Sequence, residues 1–156
     1  MNLVGLLDST ARKNPHRDCI RYQGKGFTYE DILQAAEKAA GLFQSWGLKK
    51  NDKVAIMSLN TPSFVIAFYG ALKAGGVIVP VNHKLMAPEV DYILEHSETK
   101  IFLFDGALKD VAAKLTGATR KVAMDSPVDG FALLESLLET APVFQPVAIS
   151  DEDLAE

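Results

Sequence analysis

The residues best suited to chemistry are few, and their order matters more than their number. Gly75-Gly76 lies between two apolar runs in TPSFVIAFYGALKAGGVIVPVN (61–82), a setting that resembles a phosphate-cradling loop. Such a loop runs from a strand through glycines into a helix, so that free N–H groups and the positive dipole end face the anion. Here the order is reversed. Thr61 is a good N-cap, Pro62 suits the first helical position, and Phe64 to Ala74 reads as helix with Gly75 at the left-handed stop. VIVPV (77–81) is then a short β-branched strand. The pair is read as a helix stop among carbonyls that repel phosphate.

Open parallel sheets bind ligands outside the carboxyl ends of their strands. Two segments belong there: Ser58, Leu59 and Asn60, and the donor-rich corner Asn82, His83 and Lys84, which could hold a carboxylate or phosphate. These last three are the only candidate binding residues, and the competing reading of them is a solvated polar loop. No catalytic and no metal-ligating residue is assigned. His16, His83 and His96 have no ligand spacing, and the single cysteine, Cys19, adds none. Beside Ile20 in an expected strand, Cys19 reads as a small buried apolar residue. His96 falls near a helix C-terminus, where its charge suits the dipole. Asp151, Glu152 and Asp153 read as a solvated acidic run. G-x-G-x-x-G, G-x-x-x-x-G-K-[ST] and G-x-S-x-G are all absent.

The elements that would position these residues can be read from pattern. Leu3, Leu6, Leu7 and Ala11 mark one face of a helix ended by Pro15. CIRYQG (19–24) and the residues near Phe27 form two short strands turning at Gly24 to Gly26. Thr28, with Asp31 three residues on, caps a long helix carrying Ile32, Ala36, Ala39, Phe43 and Trp46 inward, and Gly47 stops it. Strands are then expected at 53–59, 77–81, 100–104 and 121–124, alternating with helices at 62–74, 88–97, 107–115 and 131–141. Helices of about ten residues between apolar strands imply parallel βαβ crossovers, hence an α/β sheet with helices on both faces. Residues 1–141 form one such domain, and 142–156 read as an acidic tail or linker.

A chain of 156 residues suits a single domain, and 48% hydrophobic with 23% charged residues is ordinary globular composition. A net charge of −4 without a Lys/Arg cluster, and with sparse aromatics, gives no platform for nucleic acid. One cysteine permits no internal disulfide, which points to a reducing, cytoplasmic setting. The apolar stretch 64–81 is broken by Lys73, Gly75, Gly76 and Pro80, so no transmembrane segment is expected.

Residues 27–105 resemble the opening of the adenylate-forming enzymes, which include acyl- and aryl-CoA synthetases, luciferases and peptide-synthetase adenylation domains. FTYEDI (27–32) is similar to their first core motif and LKAGGVIVPVN (72–82) to their second, with the step GLKKNDKVA (47–55) between. PVNHKLMAPEVDYILEHS (80–97) is closer to the CoA-ligase branch, since peptide-synthetase domains tend to carry an aspartate where Asn82 stands here. The resemblance implies a two-step reaction: ATP and a carboxylic acid give an acyl-adenylate with Mg²⁺, and CoA thiolate then displaces AMP. It also implies a loop like S-G-T-T-G-x-P-K-G following a strand just beyond an acidic stretch such as ISDEDLAE (149–156). That loop and the later family motifs are not within these residues, so no family catalytic residue carries over. The expectation is the N-terminal portion of an acid–CoA ligase, inactive alone and binding no cofactor itself, while the parent would use ATP, Mg²⁺ and CoA. Its partners would be the rest of the ligase and the acid. Apolar faces and a sheet edge left for later segments predict self-association. The alternatives are a stand-alone module binding a small anion at Asn82–Lys84, or a scaffold.

Overall fold

The structure, a computed structural model, describes residues 2–155. Helix α1 (Leu3–Lys13) leads into strands β1 (Asp18–Tyr22) and β2 (Lys25–Thr28), an antiparallel hairpin. The hairpin turns one residue earlier than the glycines alone imply, because Gln23 (φ 50°) and Gly24 (φ 79°) take the two left-handed positions. Helix α2 (Tyr29–Ser45) begins with a reciprocal cap: Thr28 Oγ1 accepts from Asp31 N at 3.1 Å, and Asp31 accepts from Thr28 N at 2.9 Å. The Thr28 N–H first, and then the Thr28 hydroxyl, hold the Asp31 carboxyl below its ordinary range.

From there the chain alternates: β3 (Lys53–Met57), α3 (Pro62–Lys73), β4 (Val77–Pro80), α4 (Ala87–His96), β5 (Ile101–Asp105), α5 (Lys109–Ala112), β6 (Arg120–Met124), β7 (Ala132–Leu133) and α6 (Leu134–Leu138). The last five strands form one parallel sheet in the order β4-β3-β5-β6-β7. Successive side chains leave opposite faces. Val54, Ile56, Ile78, Ile101, Leu103, Val122 and Met124 pack under α2, α3 and α6. Ala55, Met57, Phe102, Phe104 and Ala123 pack against α4 and α5. The α/β architecture with helices on both faces is therefore as the alternation implied. Helices α2 and α3 meet closely, because a Cβ on Gly70 would stand 2.5 Å from the Ala39 Cβ.

Two expected helices are shorter than their patterns. Residues 107–115 give a 3-10 turn and then the single-turn α5, since Asp105 Oδ1 accepts from Ala107 N at 2.8 Å and fixes a tight start. Asp91 ends the segment by accepting from Thr116 and Gly117. Within 131–141 the first residues are a fifth strand, Ala132–Leu133 pairing with Val122 and Ala123, and only Leu134–Leu138 is helical. In α1, Leu7 and Ala11 are buried as expected, but Leu3 and Leu6 are 40% and 52% exposed.

Residues 142–155 carry no regular structure and are nonetheless pinned along their length. A Cβ on Gly41 would collide with the Pro142 carbonyl oxygen, so α2 is bare where this strap crosses it. Gln44 and Gln145 exchange bonds of 2.7 and 3.0 Å, and Asn2 Nδ2 donates to Ile149 O at 3.1 Å. Lys50 pairs with Asp153 at 3.0 Å. Ile78 N finally donates to Ala155 O at 2.7 Å. Phe144 lies 5.5 Å from the ammonium of Lys73, which is 3% exposed and paired with Asp8 at 2.7 Å and Glu37 at 3.8 Å. One buried cation thus ties α1, α2, α3 and the strap together.

Candidate functional site at the carboxyl edge of the sheet

All five parallel strands end on the same edge, and the segment leaving each strand decides the chemistry available there. After β4 the chain makes an exposed turn in which Asn82 Oδ1 accepts from Lys84 N at 2.9 Å and Leu85 N donates to Asn82 O at 3.1 Å. Asn82 thereby holds its own turn, while the His83 and Lys84 side chains reach into solvent. After β3, Ser58 donates to the Leu59 carbonyl at 2.8 Å, and Leu59 and Asn60 are exposed.

The other half of the edge is anionic and closed. The start of α3, whose free N–H groups and positive dipole end are suited to an anion, is covered by the chain's own carboxylates. Thr61 Oγ1 donates to Asp125 Oδ2 at 2.9 Å and also caps Phe64 N at 3.4 Å. Ser63 Oγ donates to Glu135 Oε1 at 2.6 Å, and Asp125 N donates to the same oxygen at 2.9 Å. Although Asp125 is exposed as a residue, partial burial of its carboxyl pushes it up, against lowering by the Ser63 and Thr61 hydroxyls, and the carboxylates of Asp105 and Glu135 add to the rise. Glu135 Oε2 is buried without a hydrogen-bond partner. Asp105, 5% exposed, caps the 3-10 turn.

This arrangement binds parts of the protein to one another. Ser63 is hydrogen-bonded to a carboxylate, as an activated nucleophile would be, yet it is only 8% exposed. A phosphate placed at the α3 start would meet Asp125 and Glu135. Among the described residues no His/Cys/Asp/Glu group is arranged to hold a metal ion. Gly75, at φ 87°, ends α3, and Gly76 N donates to Ala71 O at 2.8 Å, so the glycine pair is the helix stop that its order implied. A Cβ on Gly75 would lie 3.1 Å from Val147 of the strap. Cys19 is half-buried in β1, and burial raises its thiol. His96 stacks on Tyr92 in the last turn of α4. Asp153, paired with Lys50, is held low first by the Ser150 N–H. No helix among the described residues is long and apolar enough to cross a membrane.

The two stretches that carried the resemblance occupy structural joints. FTYEDI is the cap and first turn of α2, and LKAGGVIVPVN is the join from α3 into β4 and its turn. The sequence profile of the AMP-binding enzyme family matches residues 7–155. The chain belongs to the AMP-binding enzyme family. Among curated members it is 37% identical to a long-chain-fatty-acid–CoA ligase of Bacillus subtilis over 101 residues, which is 65% of this chain and 18% of that enzyme. It is 30% identical to a feruloyl-CoA synthase of an Amycolatopsis species over 130 residues, 76% of this chain and 26% of that one. A Mycobacterium tuberculosis fatty acyl CoA synthetase superposes with a TM-score of 0.82 at 26% identity, covering 97% of this chain and 31% of that structure. A putative long-chain-fatty-acid CoA ligase from Rhodopseudomonas palustris shares the fold with a TM-score of 0.86 at 24% identity, covering 98% and 40%. The chain therefore spans about a fifth to two-fifths of the relatives it matches, and within them it corresponds to a partial N-terminal subdomain.

Proposed function

We propose that this chain is the N-terminal scaffold of an ATP-dependent carboxylic acid–CoA ligase. In the parent, an acid would be activated as its acyl-adenylate and then passed to the CoA thiol. One observation carries the reading: both core motifs occur in order and build the α2 start and the α3–β4 join, while curated relatives matched by this chain are named as a long-chain-fatty-acid–CoA ligase and a feruloyl-CoA synthase. The residues present do not fit the implied ATP and Mg²⁺. The start of α3, the helix start suited to a phosphate, is covered by Asp125 and Glu135. One oxygen of Asp105 accepts from Ala107 N, one of Asp125 from Thr61, and one of Glu135 from both Ser63 and Asp125 N. Among the described residues no group of His, Cys, Asp or Glu is arranged to hold a metal ion. No catalytic step is therefore assigned to residues 1–156. Asn82, His83 and Lys84 are proposed only as a polar corner beside the machinery that the remainder of the ligase supplies.

ATP–pyrophosphate exchange with a panel of carboxylic acids tests this. The 156-residue chain is expected to show none, and the same chain joined to the catalytic remainder of a CoA ligase is expected to show exchange. Turnover by the 156-residue chain, abolished by a substitution within it, would overturn the reading. Light scattering over a concentration series tests the accompanying proposal that the chain associates with itself through faces the remainder would cover. A monomer at every concentration, holding a small anion at Asn82–Lys84, would favour the stand-alone module instead.

A further inference from the structure

Three cations that lie far apart in sequence meet at the amino edge of the sheet. Lys49 lies in the turn after α2, Lys100 directly precedes β5, and Arg120 opens β6. Strand pairing sets Arg120 beside Ile101, on the same face as Val122 and Met124, which is the face that α2 covers. Its guanidinium therefore comes to lie over Trp46, the residue after α2, with Cζ 4.6 Å from the ring centroid. Phe43 packs against that ring with 5.9 Å between centroids. Trp46, Lys49, Asp52, Lys100 and Arg120 line a cavity of about 350 Å³. Small-molecule sites have about this size, roughly 300–1,000 Å³.

The positive charge of this cavity is not balanced by the protein. Among the described residues no carboxylate pairs with the side chain of Lys49, Lys100 or Arg120, although the neighbouring Lys50 is paired with Asp153. Asp52 is committed to its own turn: Oδ2 accepts from Lys49 N at 2.8 Å, and Asp52 N donates to Lys49 O at 3.0 Å. The carbonyls ending α2, which would repel an anion, are also taken. Those of Leu42, Phe43 and Gln44 accept from Ser45 Oγ at 2.6 Å, Leu48 N at 3.1 Å and Gly47 N at 2.9 Å.

A guanidinium over an aromatic face keeps the N–H donors at its rim available, and that planar fork matches two oxygens of a phosphate. Held by the ring, it also has less freedom to lose on binding. Lysines add point charges to such a site. We propose that this cavity binds a phosphate group, free or carried by a larger molecule, with Arg120 as the bidentate donor and Lys49 and Lys100 as the balancing charges. The net charge of −4 draws no anion to the molecule as a whole, so the attraction is local and is created by strand order. The site stands on the opposite edge from Asn82, His83 and Lys84 and does not depend on the ligase reading.

Trp46 is the sole tryptophan, so its indole N–H gives one NMR resonance that reports on the cavity. Titration with sodium pyrophosphate at constant ionic strength is expected to move that resonance to saturation, with the affinity measured by calorimetry. Arg120→Gln and Lys49→Gln are each expected to weaken binding at least about tenfold. Arg120→Lys should weaken it less, because it keeps the charge and loses only the fork. Lys109→Gln, on the far face of the sheet, should change the affinity by less than about twofold. Adenosine diphosphate separates the two sources: binding tighter than that of pyrophosphate assigns a phosphate carried by a larger molecule, and equal or weaker binding assigns a free anion. A shift that does not saturate, a shift that sodium chloride reproduces, or equal losses in Lys109→Gln and Arg120→Gln would overturn the proposal and leave Arg120 as a cover for the Trp46 ring. Neither probe has to be turned over, so this site and the ligase reading fail separately.

Discussion

The two halves of the carboxyl edge differ in what holds them. Under β5 and β6 the edge is closed: Thr61, Ser63, Asp125 and Glu135 join the start of α3 to β6 and α6 across 64 and 72 residues of sequence. After β4 the edge is open, and Asn82, His83 and Lys84 stand on a turn fixed only by its own short bonds. The helix start best suited to an external anion is filled from inside, while the segment richest in free donors stands exposed to solvent. A doubly wound sheet offers ligand positions at its strand ends, but which of them stays available depends on neighbouring side chains.

Substitutions can sharpen that contrast, beginning with the largest effect. Phe104 is fully buried beneath the closed half and meets Phe131 edge-on at 5.0 Å. Phe104→Ala is expected to cost about 3–5 kcal/mol in urea unfolding, and a loss below about 1 kcal/mol would mean that this half is loosely packed. Glu135→Ala leaves the Ser63 hydroxyl and the Asp125 N–H without their acceptor. A cost of about 1–3 kcal/mol is expected, with Glu135→Gln milder because it keeps the accepting oxygen.

Asp125→Asn should act in the opposite direction. The folded state raises this carboxyl, so its contribution to stability is complete at low pH, where it is protonated, and is lost as pH rises through the folded value. Asparagine keeps an acceptor for Thr61 and suits the left-handed backbone at φ 71°. Melting curves should show the variant gaining on the parent between about pH 4 and pH 7, by less than the Glu135→Ala loss. A gap that narrows as pH rises would contradict the assigned cause. At the open corner, His83→Ala and Lys84→Ala are expected to change stability by no more than about 0.5 kcal/mol. A larger loss in either would show that the corner is held by contacts its exposure hides.

What was legible in the sequence was local or periodic. Thr28 with Asp31, and Thr61 with Pro62, announced two helix starts, and Gly75 announced a stop, because capping is settled within a few residues. Strand β7 was hidden in FALLESLLETA, where leucines at helical spacing outvoted two residues whose pairing with Val122 and Ala123 depends on the whole sheet. The Asp125–Glu135 closure was missed for the same reason, since strand order, absent from any local pattern, brings those carboxylates to the α3 start. The one available signal was that Asp105 and Asp125 each come directly after an apolar run. The strap gave no period to find. It is held by isolated contacts such as Gln44 with Gln145, a pair separated by 101 positions.

The bond from Asn2 to Ile149 spans 147 positions, and that separation has a consequence during synthesis. At about 5–20 residues per second, the start of α1 leaves the ribosome many seconds before the residue that fastens it. The β4 edge likewise waits for Ala155 until nearly every other element has emerged. The sheet must therefore assemble with its outer margin uncovered, and the nascent chain is most open to proteases and to pairing with its neighbours on the same polysome during that interval.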